Sequence, residues 1–176
     1  MALHQATGLS GVERTFHPDD IIVSKTDLKG RITYANDIFI SVSGYKEKEL
    51  LGAAHNIVRH PDMPRCVYKL LWDTIQQGNE LFAYVVNRAI NGDHYWVLAH
   101  VTPDFSQDGS SIVGYHSNRR VPRPDAVAKA RELYAALKAI ENQHSDPKAG
   151  IAAATDKLLG ILRNKGMGYD EFVFSL

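Results

Sequence analysis

The stretch LFAYVVNRAI-NGD-HYWVLAHVT, residues 81–102, decides the architecture. Residues 81–90 and 94–102 are rich in β-branched and aromatic side chains. They flank Asn91-Gly92-Asp93, whose residue types tolerate the positive φ angles of a tight turn, so two antiparallel strands joined as a hairpin are predicted. Upstream, Pro61-Asp62-Met63-Pro64 opens a helix with Val67, Leu70, Leu71, Thr74 and Ile75 on one face, ending before Gly78. Downstream, a polar loop over residues 104–110 leads to SIVGYHS, residues 111–117, which reads as a fifth strand. Further upstream, IIVSKT (residues 21–26) and RITYA (31–35) form a second hairpin around Asp27-Leu28-Lys29-Gly30, with Gly30 best suited to positive φ. Asn36 or Asp37 caps a short helix through Phe39, Ile40 and Val42 that stops at Gly44, and residues 46–51 make another that stops at Gly52. Two strands, a helical middle and three strands within roughly 100 residues predict an α+β unit, a five-stranded antiparallel sheet with helices on one face.

Residues 1–19 read as an N-terminal cap, residues 20–121 as the sheet-and-helix unit and residues 122–176 as a helical extension. In that extension Val127, Ala130, Leu133, Tyr134, Leu137 and Ile140 make an apolar stripe, and a homodimer through this stripe is predicted. Pro147 interrupts the helical pattern, Ile151, Ala154, Leu158 and Leu162 resume it, and Gly166 and Gly168 end it. In the tail YDEFVFSL, residues 169–176, Phe172, Phe174 and Leu176 fall at period two, which predicts an extended segment docked on a sheet edge or in a groove.

Twenty basic residues balance twenty acidic ones in 176, and no dense Lys/Arg run occurs, so nucleic acid and anionic membrane surfaces find no electrostatic match. Cys66 is the single cysteine, which excludes an intrachain disulfide and a cysteine-rich zinc site. The first 14 residues lack the basic start and apolar run of a leader, and no apolar run approaches the roughly 18 residues that span a bilayer. A cytoplasmic protein without membrane insertion is expected.

Several separated motifs agree in order and spacing with a known family. They are Tyr34-Ala35-Asn36-Asp37, Val42-Ser43-Gly44-Tyr45, NIVRHPDMP (residues 56–64), Asn87-Arg88, NGDHYWV (residues 91–97) and Thr102-Pro103. The chain resembles a PAS sensory domain over residues 20–121, and the run from Asn56 to Pro64 resembles the PAS domain of bacterial aerotaxis receptors. The resemblance implies flavin adenine dinucleotide (FAD) in the cleft between sheet and helices, with its redox state passed to a protein partner. Such receptors also carry a membrane segment and a long signalling bundle. This chain has neither, so a free-standing relative is expected. It departs from the family at Leu81, where Trp is frequent.

A flavin requires a flat apolar slot, directional partners for its pyrimidine edge, and donors for its pyrophosphate. Trp72, together with Phe82 or Tyr84, offers flat contact area, and Asn87 carries donor and acceptor together. Arg59 offers a planar donor fork for phosphate or for negative charge on a reduced ring, with His60 beside it. Asp62 either orients Arg59 or caps the long helix. His55 and Met63 complete the candidate cofactor set by their place in or beside the 56–64 motif. Bland readings stand beside these: Trp72 as a core residue, Arg59, His60 and Asp62 as a structural bridge, and Asn87 as an edge-strand amide in water.

The eight histidines are scattered, and none is singled out as an axial haem ligand. There is no HExxH, no G-x-S-x-G elbow, no P-loop, and no Asn-Cys-Arg motif of the LOV photoreceptors, so Cys66 reads as an inert buried thiol. The reading is a cytoplasmic redox sensor holding FAD and signalling by conformational change to an unidentified protein partner, not an enzyme. A cofactor-free dimerisation scaffold, a haem or small-ligand sensor and a small flavin enzyme are its rivals.

Overall fold

The computed structural model describes residues 8–176, so residues 1–7 of the expected N-terminal cap lie outside the described residues. Its elements are β1 (Ile22–Thr26), β2 (Ile32–Ala35), α1 (Asp37–Ser43), α2 (Glu47–Leu50), a 3-10 turn (His55–Val58), α3 (Arg65–Ile75), β3 (Leu81–Arg88), β4 (His94–Phe105), β5 (Ile112–Arg120), α4 (Pro124–Asn142), α5 (Pro147–Lys165) and α6 (Tyr169–Ser175). The five strands form one antiparallel sheet in the order β2-β1-β5-β4-β3. Asn36 caps α1 by accepting the Phe39 N–H at 3.1 Å, as its residue type predicts. The β3–β4 hairpin pairs Arg88 with His94 through to Leu81 with Val101. At its turn Gly92 has φ 93°, and an added Cβ would lie 2.1 Å from the Gly8 carbonyl oxygen. The N-terminal segment therefore runs tightly past that turn, held by the Arg14–Asp93 ion pair at 2.8 Å.

Strand alternation sorts the sheet into two faces. Ser24, Asn87, Val97, Ala99, Tyr115 and Arg119 share the face covered by the helices between β2 and β3. Trp96 lies on the opposite face, where α4 covers it: the Tyr134 ring stacks 6.1 Å away and the Arg131 guanidinium sits 5.5 Å from its centroid. Helices thus lie on both faces near β3 and β4, which extends the expectation of one covered face. The apolar stripe of α4 is not a free dimer surface. Ala130 and Leu137 are fully buried and Tyr134 is 6% exposed, all within one chain, because α4 packs on the sheet, on α3 and on α5.

β3 is an edge strand, and the C-terminal helices occupy its open backbone groups. The Tyr134 hydroxyl donates to the Tyr84 carbonyl at 2.6 Å, and the Asp170 carboxylate accepts the Phe82 N–H at 3.3 Å. The tail docks as expected but as a helix, not as an extended segment. Gly168 precedes the helix and Asp170 and Glu171 occupy its first turn, where negative charge suits the free N–H groups. It buries the adjacent Phe172 and Val173, while Phe174 is 54% exposed.

Candidate functional site

A cavity of about 220 Å³ lies between the inner face of the sheet, α3 and the 3-10 turn, with the exposed residues Lys29 and Asn56 at its border. Apolar walls come from α3, which projects Tyr68, Leu71, Trp72 and Ile75 at helical spacing, and from Val85, Ala99 and Tyr115 on the sheet. The Trp72 ring meets Tyr115 edge-on at 5.4 Å. It also lies against Gly30, whose φ is 73° and where an added Cβ would come within 3.0 Å of the indole. Gly30 is thus required both by the turn and by the ring packed on it.

The polar groups come from β1, β3, β5 and the loop before α3. Asn87, 3% exposed, lies on the inward face of β3, and an isolated bridge pairs it with Arg59. The Arg59 guanidinium sits 4.0 Å from the Tyr68 ring centroid, and its buried Nε has no hydrogen-bond partner. Arg119, 2% exposed, donates from Nη2 to the Ser24 hydroxyl, while its Nε and Nη1 have no partner. Its guanidinium also lies 4.4 Å from the Phe39 ring centroid. Burial lowers the Arg119 pKa to about 10, so the group stays cationic at neutral pH. Ser24 Oγ also lies 3.0 Å from His55 Nε2. Burial first, and the Arg119 charge second, hold the His55 pKa down to about 3, so its ring is neutral beside the serine hydroxyl. His116 borders the same cavity, with its side chain alternating to the opposite face of β5.

Of the residues picked from sequence, His55, Arg59, Trp72 and Asn87 line the cavity, and His60, Asp62, Met63 and Phe82 do not. His60 is buried beside His94, their rings 5.7 Å apart, with its pKa lowered mainly by burial. Asp62 is 80% exposed at its side chain, and neither orients Arg59 nor caps α3. That cap comes from Glu141 of α4, whose carboxylate accepts the Cys66 N–H at 2.8 Å. Met63 is a core residue, 2% exposed. Phe82 stacks on His100 at 4.1 Å and meets Phe174 on the far face of the sheet. Cys66 is buried, and burial with the neighbouring Glu141 pushes its thiol up to about 12, which leaves it protonated and unreactive.

Arg119, Ser24, Tyr68 and Tyr115 line the cavity without having been singled out from sequence. For Arg119 a signal exists: Tyr115, Ser117 and Arg119 alternate along β5, and only a strand reaching past Ser117 reveals it. Among the described residues no group of three His, Cys, Asp or Glu side chains could hold a metal ion, and no helix is long and apolar enough to cross a membrane. Chemically the cavity suits a flat aromatic ligand that presents hydrogen-bond acceptors or negative charge to one side. The donor set fits a flavin ring: planar walls, one amide and two guanidinium groups with buried N–H left over.

Comparison with known proteins gives a consistent result. The model of the PAS fold family matches residues 19–118. The aerotaxis receptor of Escherichia coli strain K12 is 44% identical over 121 residues, which are 69% of this chain and 24% of the receptor. The nitrogen fixation regulatory protein of Klebsiella pneumoniae is 30% identical over 89 residues, 51% of this chain and 18% of that protein. The chain therefore spans about a quarter or less of the length of these relatives. In fold it is similar to the light state of the blue-light photoreceptor Aureochrome1 LOV (TM-score 0.56, 23% identity, 63% of this chain and 88% of that one). It is also similar to a light-oxygen-voltage domain from a study of a flavin analogue (TM-score 0.55, 20% identity, 70% of this chain and 88% of that one).

Proposed function

This chain belongs to the PAS family, and from that premise we propose that it is a redox sensor that holds FAD in the cavity under its sheet and reports the redox state to a protein partner. The observation that carries the reading is the meeting of Trp72, Tyr68 and Tyr115 with buried Asn87 and Arg119 and half-buried Arg59 around one cavity. The aerotaxis receptor, similar over 121 residues, and the flavin-analogue study of a domain of the same fold point the same way.

In this reading residues 20–121 form the sensory unit, residues 1–19 its cap and residues 122–176 its output helices. Trp72 and Tyr115 would wall the ring, Asn87 would offer its amide to the pyrimidine edge, and Arg59 and Lys29 would supply cations for the pyrophosphate. His55 orients Ser24. His60 and Met63 support the loop that carries Arg59, and Asp62 and Phe82 have no contact role. Bound there, the flavin supplies reversible electron uptake that changes the charge and hydrogen-bonding pattern of its ring. Asn87 would answer such a change by turning its amide, and Arg59 by tightening on added charge. Arg59 leads through residues 60–64 into α3, and Glu141 links α3 to α4, so a shift of α3 would reach the output helices. The shift between two such arrangements is limited by the ligand's differential affinity for them. The protein works in the cytoplasm, as a homodimer whose contact lies outside the covered stripe of α4.

Reconstitution tests this. Purified protein incubated with FAD, FMN or riboflavin and passed through a desalting column is predicted to keep FAD best, and to lose it in Asn87→Ala and Arg59→Ala. Retention of none of the three, or equal retention in both variants, counts against the assignment.

A further inference from the structure

Arg119 is a buried cation with no anion beside it among the described residues. Arg119 is 2% exposed, and the ionisable groups that favour its charged form are the phenols of Tyr95 and Tyr68, with no carboxylate among them. A guanidinium has five N–H donors. Nη2 is used on Ser24, while Nε and Nη1 are buried without a partner. Burying an unpaired charge costs several kcal/mol, so the fold carries this group at a loss unless something absent from the protein itself completes it. Ser24 and neutral His55 fix the guanidinium in place without neutralising it.

We infer that Arg119 is the charge-selecting residue of the cavity, positioned by Ser24 and His55, and that it binds the cavity's ligand more tightly when the edge facing it is negatively charged. The identity of that ligand rests on the flavin reading; the existence of the subsite does not. With dithionite as donor, two electrons and one proton leave one negative charge on a flavin ring, and Arg119 favours that state over the neutral oxidised one. Arg119 thereby raises the midpoint potential of the bound cofactor.

The test uses the full chain. In FAD-loaded protein titrated with dithionite against a reference dye, Arg119→Gln is predicted to lose at least tenfold of the preference for the reduced form, a drop of about 30 mV for a two-electron couple. Arg119→Lys, which keeps the charge and loses the fork, falls between Gln and wild type. In cofactor-free protein Arg119→Met is predicted to melt roughly 2–4 °C or more above wild type, because an unpaired buried charge is gone. An unchanged potential in Arg119→Gln, or a cofactor-free Arg119→Met that melts below wild type, overturns the inference. If no variant takes up flavin, the cofactor assignment fails by itself. The melting comparison still decides Arg119, with a higher-melting Met variant upholding an anion subsite for another ligand.

Discussion

The carboxylate of Glu141 accepts the backbone N–H of Cys66 at 2.8 Å across 75 residues of chain. Cys66 lies in the first turn of α3, whose capping residue Pro64 offers no side-chain hydrogen bond. A residue of α4 therefore caps the helix that walls the cavity. One face of α3 carries Tyr68 and Trp72 toward the ligand space, and its N-terminus reads the position of α4. Losing this acceptor leaves a buried N–H unpaired, at about 1–3 kcal/mol. Glu141→Ala is predicted to lower stability by that amount in urea unfolding. Glu141→Gln, which retains a carbonyl acceptor, is predicted to lose less than half as much.

Gly30 is the next point of leverage. Its φ of 73° costs an L-residue about 1–2 kcal/mol. A Cβ there also presses on the Trp72 indole at 3.0 Å. Gly30→Ala is predicted to lower the melting temperature and to shift the indole, read as a change in tryptophan emission and as weaker FAD retention. Gly52→Ala serves as control: its φ is 79° but nothing lies within 4 Å, so it keeps the backbone cost and leaves Trp72 and retention unchanged.

The C-terminal helix closes an exposed strand edge. Removing residues 169–176 uncovers the Phe82 N–H and loses buried Phe172 and Val173, each worth about 1.5–3 kcal/mol as an upper estimate. The truncated protein is predicted to lose several kcal/mol of stability, to exchange the β3 amides faster and to aggregate more readily through the freed edge. Unchanged amide protection in β3 contradicts the edge-capping role.

His55 gives the fold a defined acid limb. Burial holds its folded-state pKa down to about 3, against about 6.5 in an unfolded chain. The unfolded state therefore binds a proton that the folded state refuses. The contribution of the neutral ring is complete above about pH 6.5 and declines toward pH 3 by up to about 1.4 kcal/mol per pH unit. His55→Gln is predicted to flatten this slope by one proton between about pH 6 and 4, measured by urea unfolding at several pH values.

Much of this structure is legible in the sequence, and the failures have physical reasons. The hairpin at residues 81–102 is legible because Asn91-Gly92-Asp93 admits few alternatives, and Asn36 and Gly30 mark their cap and turn. The facing of β3 is not. Leu81, Ala83, Tyr84, Val85 and Val86 are all buried, because α3 covers one side and α4 the other, so no alternation reveals that Phe82 points away from the cavity. Asn87 breaks the apolar run and for that reason is visible. Arg119 lies beyond Ser117, where the β pattern in the sequence fades. The stripe of α4 signals burial correctly, but a stripe does not say whether its cover is another copy or its own sheet. In α6, period-two spacing of Phe172 and Phe174 yields to Asp170 and Glu171 in a first helical turn.

The most direct measurement is the visible absorption spectrum of protein freshly purified from flavin-replete cells, followed by acid release and chromatography of whatever it holds. A two-band flavin spectrum that dithionite bleaches and air restores, with FAD as the released compound, is the predicted result. Colourless protein that also takes up no added FAD contradicts the account.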